Sequence, residues 1–247
     1  MRILIVNPNT TASMTEKAAQ AACAVAGHGT EIVAATSRNG PASIEGHYDG
    51  AIAVPGLLLE LRAGQAAGAD AAIIACFDDT GLEAARTLAD IPVLGLCESA
   101  VMTAALLAQR FTVVTTLERS RVLIEDLVIR YGMAGRAKVR AADIPVLDLE
   151  DKASGALAKL RRQIELALTE DGAEAIVLGC AGMADLAHVL QREYGVPVVD
   201  GVAAAVKQAE ALVSQGLTTS KRGSYAAPLP KAFAGSMQAF APEPPLR

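Results

Sequence analysis

Apolar residues in this chain fall into short continuous runs of four to six, each bounded by small or polar residues. Ile3–Val6, Ala71–Cys76, Val93–Leu96, Thr112–Thr115 and Ile176–Cys180 are such runs. A run of that length with turn residues at both ends predicts a strand buried on both faces, as in a parallel sheet. Between the runs the apolar spacing turns helical. Helices are predicted over 13–26, 48–64, 80–88, 120–131, 152–168, from about 181 to 193, and 202–215, with further strands at 31–35, 138–142 and after Pro197. Pro55 inside the second helix predicts a kink or a break there. Strands alternating with helices predict an α/β fold.

The pattern occurs twice. Gly68-Ala69-Asp70-Ala71-Ala72-Ile73-Ile74-Ala75-Cys76 is echoed by Gly172-Ala173-Glu174-Ala175-Ile176-Val177-Leu178-Gly179-Cys180. Downstream, Pro92-Val93-Leu94-Gly95 is matched by Pro197-Val198-Val199-Asp200; upstream, Arg2-Ile3-Leu4-Ile5-Val6 resembles Arg110-Phe111-Thr112-Val113-Val114. This is an internal duplication of about 108 residues, with halves near 1–108 and 109–216. It predicts two pseudo-symmetric lobes, each with a four-stranded, mostly parallel sheet flanked by helices. Residues 1–97 with 201–247 are expected to form one lobe and 98–200 the other.

Composition narrows the function. The chain is 52% hydrophobic but only 3% aromatic and lacks Trp, so Ala, Val, Ile and Leu build its core. A net charge of −5 without a basic cluster argues against nucleic acid and anionic membranes as partners. No apolar run is long enough to span a membrane and no signal peptide is evident, so a cytoplasmic protein is expected. Four cysteines without close paired spacing and three scattered histidines suggest neither a disulfide framework nor a metal site. Cys23 and Cys97 read as small core residues. Residues from Thr218 onward, rich in Pro, Gly, Ser and Ala, read as an extended tail packed on the surface or on a neighbouring subunit.

The candidate chemistry lies in Cys76 and Cys180. Ligands of open parallel sheets bind at the carboxyl ends of the strands, where duplication places these two thiols. Inverting a carbon stereocentre needs one group to remove a proton from one face and another to return one to the opposite face; a thiolate and a thiol suit this. The N-terminus of the helix after each cysteine is expected to favour a negative sulfur and to hold the substrate oxygen that becomes enolate-like. Asp78 opposes this, since a carboxylate beside Cys76 raises its pKa. It is read as a partner for a substrate N–H, and Asp79 as a helix cap. Asn9, Thr115 and Thr116 lie at strand ends and are candidates for substrate binding, with helix capping as their structural alternative. The long loop over 36–49, with Ser43, Ile44 and His47, is expected to line the site.

The motifs Asn7-Pro8-Asn9-Thr10-Thr11, Ser43-Ile44-Glu45-Gly46, Ala75-Cys76-Phe77-Asp78-Asp79, Val114-Thr115-Thr116-Leu117 and Gly179-Cys180-Ala181-Gly182-Met183 resemble those of the aspartate/glutamate racemase superfamily, and more closely its hydantoin racemase branch. The resemblance implies a pseudo-symmetric α/β fold, no cofactor, and Cys76 and Cys180 as opposed acid and base. It implies substrate contacts from Asn9, Ser43, Ile44, Phe77, Asp78, Thr115, Thr116, Ala181 and Gly182, and a homo-oligomer. Amino-acid racemases of the superfamily carry Asn-Thr after the first cysteine and Thr-His after the second; here stand Phe77-Asp78 and Ala181-Gly182. A small neutral cyclic ureide fits better than a charged amino acid. The implied reaction interconverts D- and L-5-monosubstituted hydantoins. Allantoin, itself a 5-ureidohydantoin, is the alternative substrate, and a cysteine-dependent cis–trans isomerase a further alternative. A decarboxylase of the superfamily needs one cysteine only.

Overall fold

The computed structural model describes residues 1–151 and 153–242. Its first half runs β1 (Arg2–Asn7), α1 (Ala12–Val25), β2 (Glu31–Thr36), α2 (His47–Ala66), β3 (Ala71–Ile74), α3 (Leu82–Leu88), β4 (Val93–Gly95) and α4 (Leu96–Leu107). The second half repeats the order with β5 (Phe111–Thr115), α5 (Glu118–Arg130), β6 (Ala137–Ala141), α6 (Ala156–Glu170), β7 (Ala175–Gly179), α7 (Ala187–Tyr194), β8 (Val198–Asp200) and α8 (Gly201–Ser214). Each half forms a four-stranded sheet, β2-β1-β3-β4 and β6-β5-β7-β8, and every pairing is parallel.

The period of two along each strand divides the core into three. Ile3, Ile5, Ala71 and Ile73 of the first sheet share one cluster with Phe111, Val113, Ala175 and Val177 of the second. α4 and α8 complete this shared core with Leu96, Ala100, Val101, Val202, Ala205 and Val206. The alternate residues face outward: Leu4, Val6, Ala72 and Ile74 pack with Leu57 and Leu61 of α2, and Val114, Ile176 and Leu178 with Leu160 and Ile164 of α6. A strand sandwiched this way must be apolar at every position, which is why the runs in the sequence do not alternate.

The connecting helices trade places. α4 follows the first sheet but packs against β7 and β8, while α8 follows the second and packs against β3 and β4. At the crossing, a Cβ on Gly201 would lie 2.9 Å from the Leu96 carbonyl oxygen, so the two strand-to-helix junctions meet backbone to backbone.

Four expectations need correction. Cys23 is exposed: α1 buries Thr15, Ala18 and Ala22, and Cys23 lies about 100° round the helix from Ala22. α2 continues unbroken through Pro55. Pro55 removes a donor from the Ala51 carbonyl, but Ala51 is exposed, so water can serve it. α6 starts at Ala156, and Lys152, the expected start, lies outside the described residues. The segment after Cys180 is first a 3-10 turn, Ala181–Leu186, and only then α7. The tail does pack on the surface, on α3 and the turn that leads into β4. Thr219 N–H donates to Asp90 O at 3.0 Å and its hydroxyl to Ile91 O at 2.7 Å. Lys221 Nζ donates to the carbonyls of Arg86 and Thr87 in the last turn of α3 at 2.9 and 2.8 Å, a favourable place for a cation. No helix among the described residues is long and apolar enough to cross a membrane.

Candidate active site

The carboxyl ends of β1, β3, β5 and β7 converge on one cavity. Its lining is Asn9, Met14, Ile44, Ala75, Cys76, Phe77, Asp78, Thr115, Thr116, Ser120, Val146, Gly179, Cys180, Ala181 and Gly182, around about 510 Å³ of empty space with its open mouth included. Both cysteines line it, one from each sheet. Of the expected substrate contacts only Ser43 stays out; its neighbour Ile44 is the part of that loop that reaches in. His47 is exposed and lies outside the cavity.

Each wall is held by a local device. At the end of β1, Asn7 Nδ2 donates to Asn9 Oδ1 at 2.8 Å and to Thr15 Oγ1 at 3.0 Å, while Asn9 Oδ1 also accepts the Thr11 N–H at 3.0 Å. The Asn9 carbonyl is therefore occupied with the turn. Its amide nitrogen has only the Met14 sulfur, at 3.4 Å, and is the part available to a ligand. The loop carrying Ile44 is pinned to this turn: Thr10 N–H donates to Pro41 O at 2.9 Å and the Thr11 hydroxyl to Ala42 O at 2.7 Å. From the other half, Val146 N–H donates to Glu45 Oε1 at 3.0 Å, which ties the two halves together beside the cavity. The Thr115 hydroxyl donates to Gly179 O at 3.2 Å. Leu117 holds the N-cap position of α5, so neither Thr115 nor Thr116 is that helix's cap residue.

The thiols sit in unlike settings. The Thr80 hydroxyl donates to Cys76 Sγ at 3.4 Å, and the Asp78 N–H also points at that sulfur. Burial, followed by the Asp78 carboxylate, nevertheless drives the Cys76 thiol far above its ordinary range. Burial also raises Cys180, to about 11, against the Gly182 N–H, which favours its thiolate; Asp78 raises it further and Lys17 offsets part of this. The short turns after the cysteines thus supply one amide each and do not overcome desolvation. Asp78 is itself lifted to about 7 by burial and by neighbouring Asp79.

Asp79 does cap a helix, but not its own. Its carboxylate accepts the N–H groups of Cys97 and Glu98 at the start of α4, both at 2.9 Å, and the Tyr131 hydroxyl at 2.7 Å. It adopts a left-handed backbone with φ 46°. Met14, Ser120 and Val146 were not foreseen as lining. Met14 and Ser120 lie in the first turns of the helices following β1 and β5. Val146 lies in the second-half copy of the loop that carries Ile44, so the duplication itself pointed to it. Among the described residues no cluster of His, Cys, Asp or Glu has a metal-holding arrangement. Among the described residues no Lys, Arg or His lines the cavity, and Asp78 is its one carboxylate.

Two like parallel sheets that bring one strand-end thiol each into a common cavity define an α/β enzyme of the racemase-like type. Comparison with known proteins makes this specific. The model of the Asp/Glu/Hydantoin racemase family matches residues 3–209. A hydantoin racemase of Rhizobium meliloti is 53% identical over 95% of this chain and 98% of its own, and one of Pseudomonas sp. (strain NS671) is 46% identical over 97% of each. Among solved structures, allantoin racemase from Klebsiella pneumoniae superposes with a TM-score of 0.95 at 50% identity, covering 98% of this chain and 100% of that one. The chain belongs to the Asp/Glu/Hydantoin racemase family and is an isomerase, a racemase.

Proposed function

We propose that the protein interconverts the enantiomers of 5-monosubstituted hydantoins by two-base proton transfer between Cys76 and Cys180. One observation carries the reading: equivalent strand ends of the two halves present a thiol each to one cavity that, among the described residues, no basic side chain lines. A charged amino acid would need a partner for its carboxylate, whereas a neutral ring needs none. The acidity of a hydantoin C5–H, next to a ring carbonyl, suits a weak thiolate base. The Cys180 thiolate forms more readily than that of Cys76, whose thiol is lifted further. It removes the C5 hydrogen of one enantiomer while the Cys76 thiol protonates the opposite face, and the roles reverse for the other enantiomer. The N–H groups of Asp78 and Gly182, beside the two sulfurs, favour the anionic charge that builds on sulfur and ring oxygen.

The relatives named above support this substrate class, and a cavity with no basic side chain among its described lining favours it over an amino acid. The chain is expected to self-associate, a reading supported by the exposed Met102, Leu106 and Leu107 on α4, and to work in the cytoplasm. The test is the decay of optical rotation for a panel of single-enantiomer hydantoins, allantoin included. Decay for alkyl- or benzyl-substituted hydantoins at rates above that for allantoin supports the reading. Decay for allantoin alone would replace the substrate, and decay for aspartate or glutamate would overturn the class.

A further inference from the structure

Two-base racemisation leaves a task that the two thiols cannot complete alone. Each turnover moves a proton from the substrate to one sulfur and from the other sulfur to the product. The product therefore departs from a site whose protonation is reversed. Another molecule of the same enantiomer cannot react until that state is restored. The inference that follows rests on the two-thiol reading above.

Asp78 stands where restoration can occur. It lines the thiol cavity and also a second cavity, which is bounded by His47, Val54, Thr80, Gly81, Asp126 and Arg130. Its Oδ2 is buried and has no hydrogen-bond partner among the described residues, an uncommon state for a buried polar atom. The donors around it are committed elsewhere. The Thr80 hydroxyl points at Cys76 Sγ, and the N–H groups of Cys97 and Glu98 and the Tyr131 hydroxyl all go to Asp79. Both thiols feel its charge.

We infer that Asp78 is the proton relay that resets the thiol pair between turnovers, carrying protons between the two sulfurs and exchanging them with solvent in the second cavity. The steps balance without any other reactant. The newly protonated thiol gives its proton to the Asp78 carboxylate and becomes a thiolate. The resulting carboxylic acid gives a proton to the other thiolate and returns to carboxylate. Asp79 faces this group on its own turn. His47, Asp126 and Arg130 face it from the second cavity, and Lys17 and Glu45 act on Cys180 across the first. Burial and Asp79 together let the Asp78 carboxyl hold and release a proton near neutral pH.

The experiment is steady-state racemisation of L-5-benzylhydantoin by Asp78→Asn, whose amide keeps the shape but cannot carry the proton. Reset limits turnover only when substrate is saturating. The loss is therefore expected mainly in kcat, about tenfold or more, with a much smaller change in kcat/KM. Imidazole added at fixed pH and ionic strength is expected to restore kcat of the variant through the second cavity and to leave the wild type unchanged. Asp78→Ser, with a smaller side chain, must show the same imidazole dependence, and thermal melting confirms that each variant is folded. Equal losses in kcat and kcat/KM with no response to imidazole would assign Asp78 to binding or structure and overturn the relay. The underlying reading is judged separately. Wild-type racemisation by Cys76→Ser or Cys180→Ser removes both ideas, whereas inactive serine variants beside an imidazole-insensitive Asp78→Asn remove the relay alone.

Discussion

The strand ending at Cys76 runs on into Phe77-Asp78-Asp79-Thr80, whereas the strand ending at Cys180 runs on into Ala181-Gly182-Met183. The first arm is bulky and acidic and the second small and neutral, yet both start from strands of the same order in sheets of the same topology. The helices they serve differ in the same way. α8 is capped by Asp200, the last residue of its own strand, which accepts the N–H groups of Val202 and Ala203 at 3.2 and 2.8 Å. The equivalent residue before α4 is Gly95, and the cap comes instead from Asp79 on the neighbouring arm. A Cβ on Gly95 would lie 2.3 Å from Asp79 Cγ, so the glycine makes room for the borrowed carboxylate. Duplication has kept the frame that aims two thiols at one cavity and has let the charge around them diverge. A racemase needs opposed geometry, since it must reach both faces of one carbon; it does not need equal acidity.

The largest expected effects come from removing either thiol. Cys76→Ser and Cys180→Ser should each lower racemisation by about a thousandfold or more, because inversion needs both groups and a serine hydroxyl is a far weaker acid. Optical rotation at matched enzyme concentration reads this directly. Next come changes at the residue just before each cysteine. A Cβ on Gly179 would lie 2.9 Å from Thr115 Cα and from Val114 O, so Gly179→Ala should cost about 1–3 kcal/mol in urea unfolding. Its counterpart position already holds Ala75, and Ala75→Gly should cost only about 0.5–1 kcal/mol. Equal costs would mean that the two strand ends are packed alike.

A third test concerns the acidic arm and pH. The folded state holds the Asp78 proton up to about pH 7, while the unfolded chain releases it near pH 4. The native state then binds more protons over that window, so the group's contribution to stability is lost as pH rises through it. Asp78→Asn does not titrate. It should melt higher than wild type at pH 8, by about 1–3 kcal/mol of stability, and the gain should vanish near pH 4. A gain that does not change with pH would point to packing and not to charge. The smallest effect is on the order of ionisation. Thiolate absorbance in the ultraviolet should titrate Cys180 before Cys76, and Asp78→Asn should lower both, Cys76 more because Asp78 is its larger electrostatic burden. Titration of Cys76 first would reverse this order of ionisation.

Much of this was legible in the sequence, for a physical reason. Strands buried on both faces must be written as unbroken apolar runs, and a duplicated run shows both its register and the residue that ends it. Cys76 and Cys180 could therefore be placed at facing strand ends before any coordinates. Asn9, Ile44, Thr115 and Thr116 were within reach because turns after such strands lie at the same rim. What the sequence hid depends on distance across the fold. Nothing near Asp79 shows that it caps a helix starting seventeen residues later, or that Tyr131 of the other half donates to it. The balance of effects on the thiols was hidden too. An amide beside a sulfur can be inferred locally, but the burial that outweighs it is a property of the assembled cavity. Cys23 was misread because an alanine-rich helix offers little contrast between its buried and exposed faces.

The most direct measurement of the two-thiol mechanism is deuterium exchange at C5, followed by NMR on separate D- and L-hydantoin samples in deuterated buffer and corrected for spontaneous exchange. Each enantiomer presents its hydrogen to one sulfur only. Cys76→Ser and Cys180→Ser should therefore each exchange one enantiomer and spare the other, with opposite preferences and no net inversion. Exchange of the same enantiomer by both variants, or wild-type racemisation by either, would contradict it.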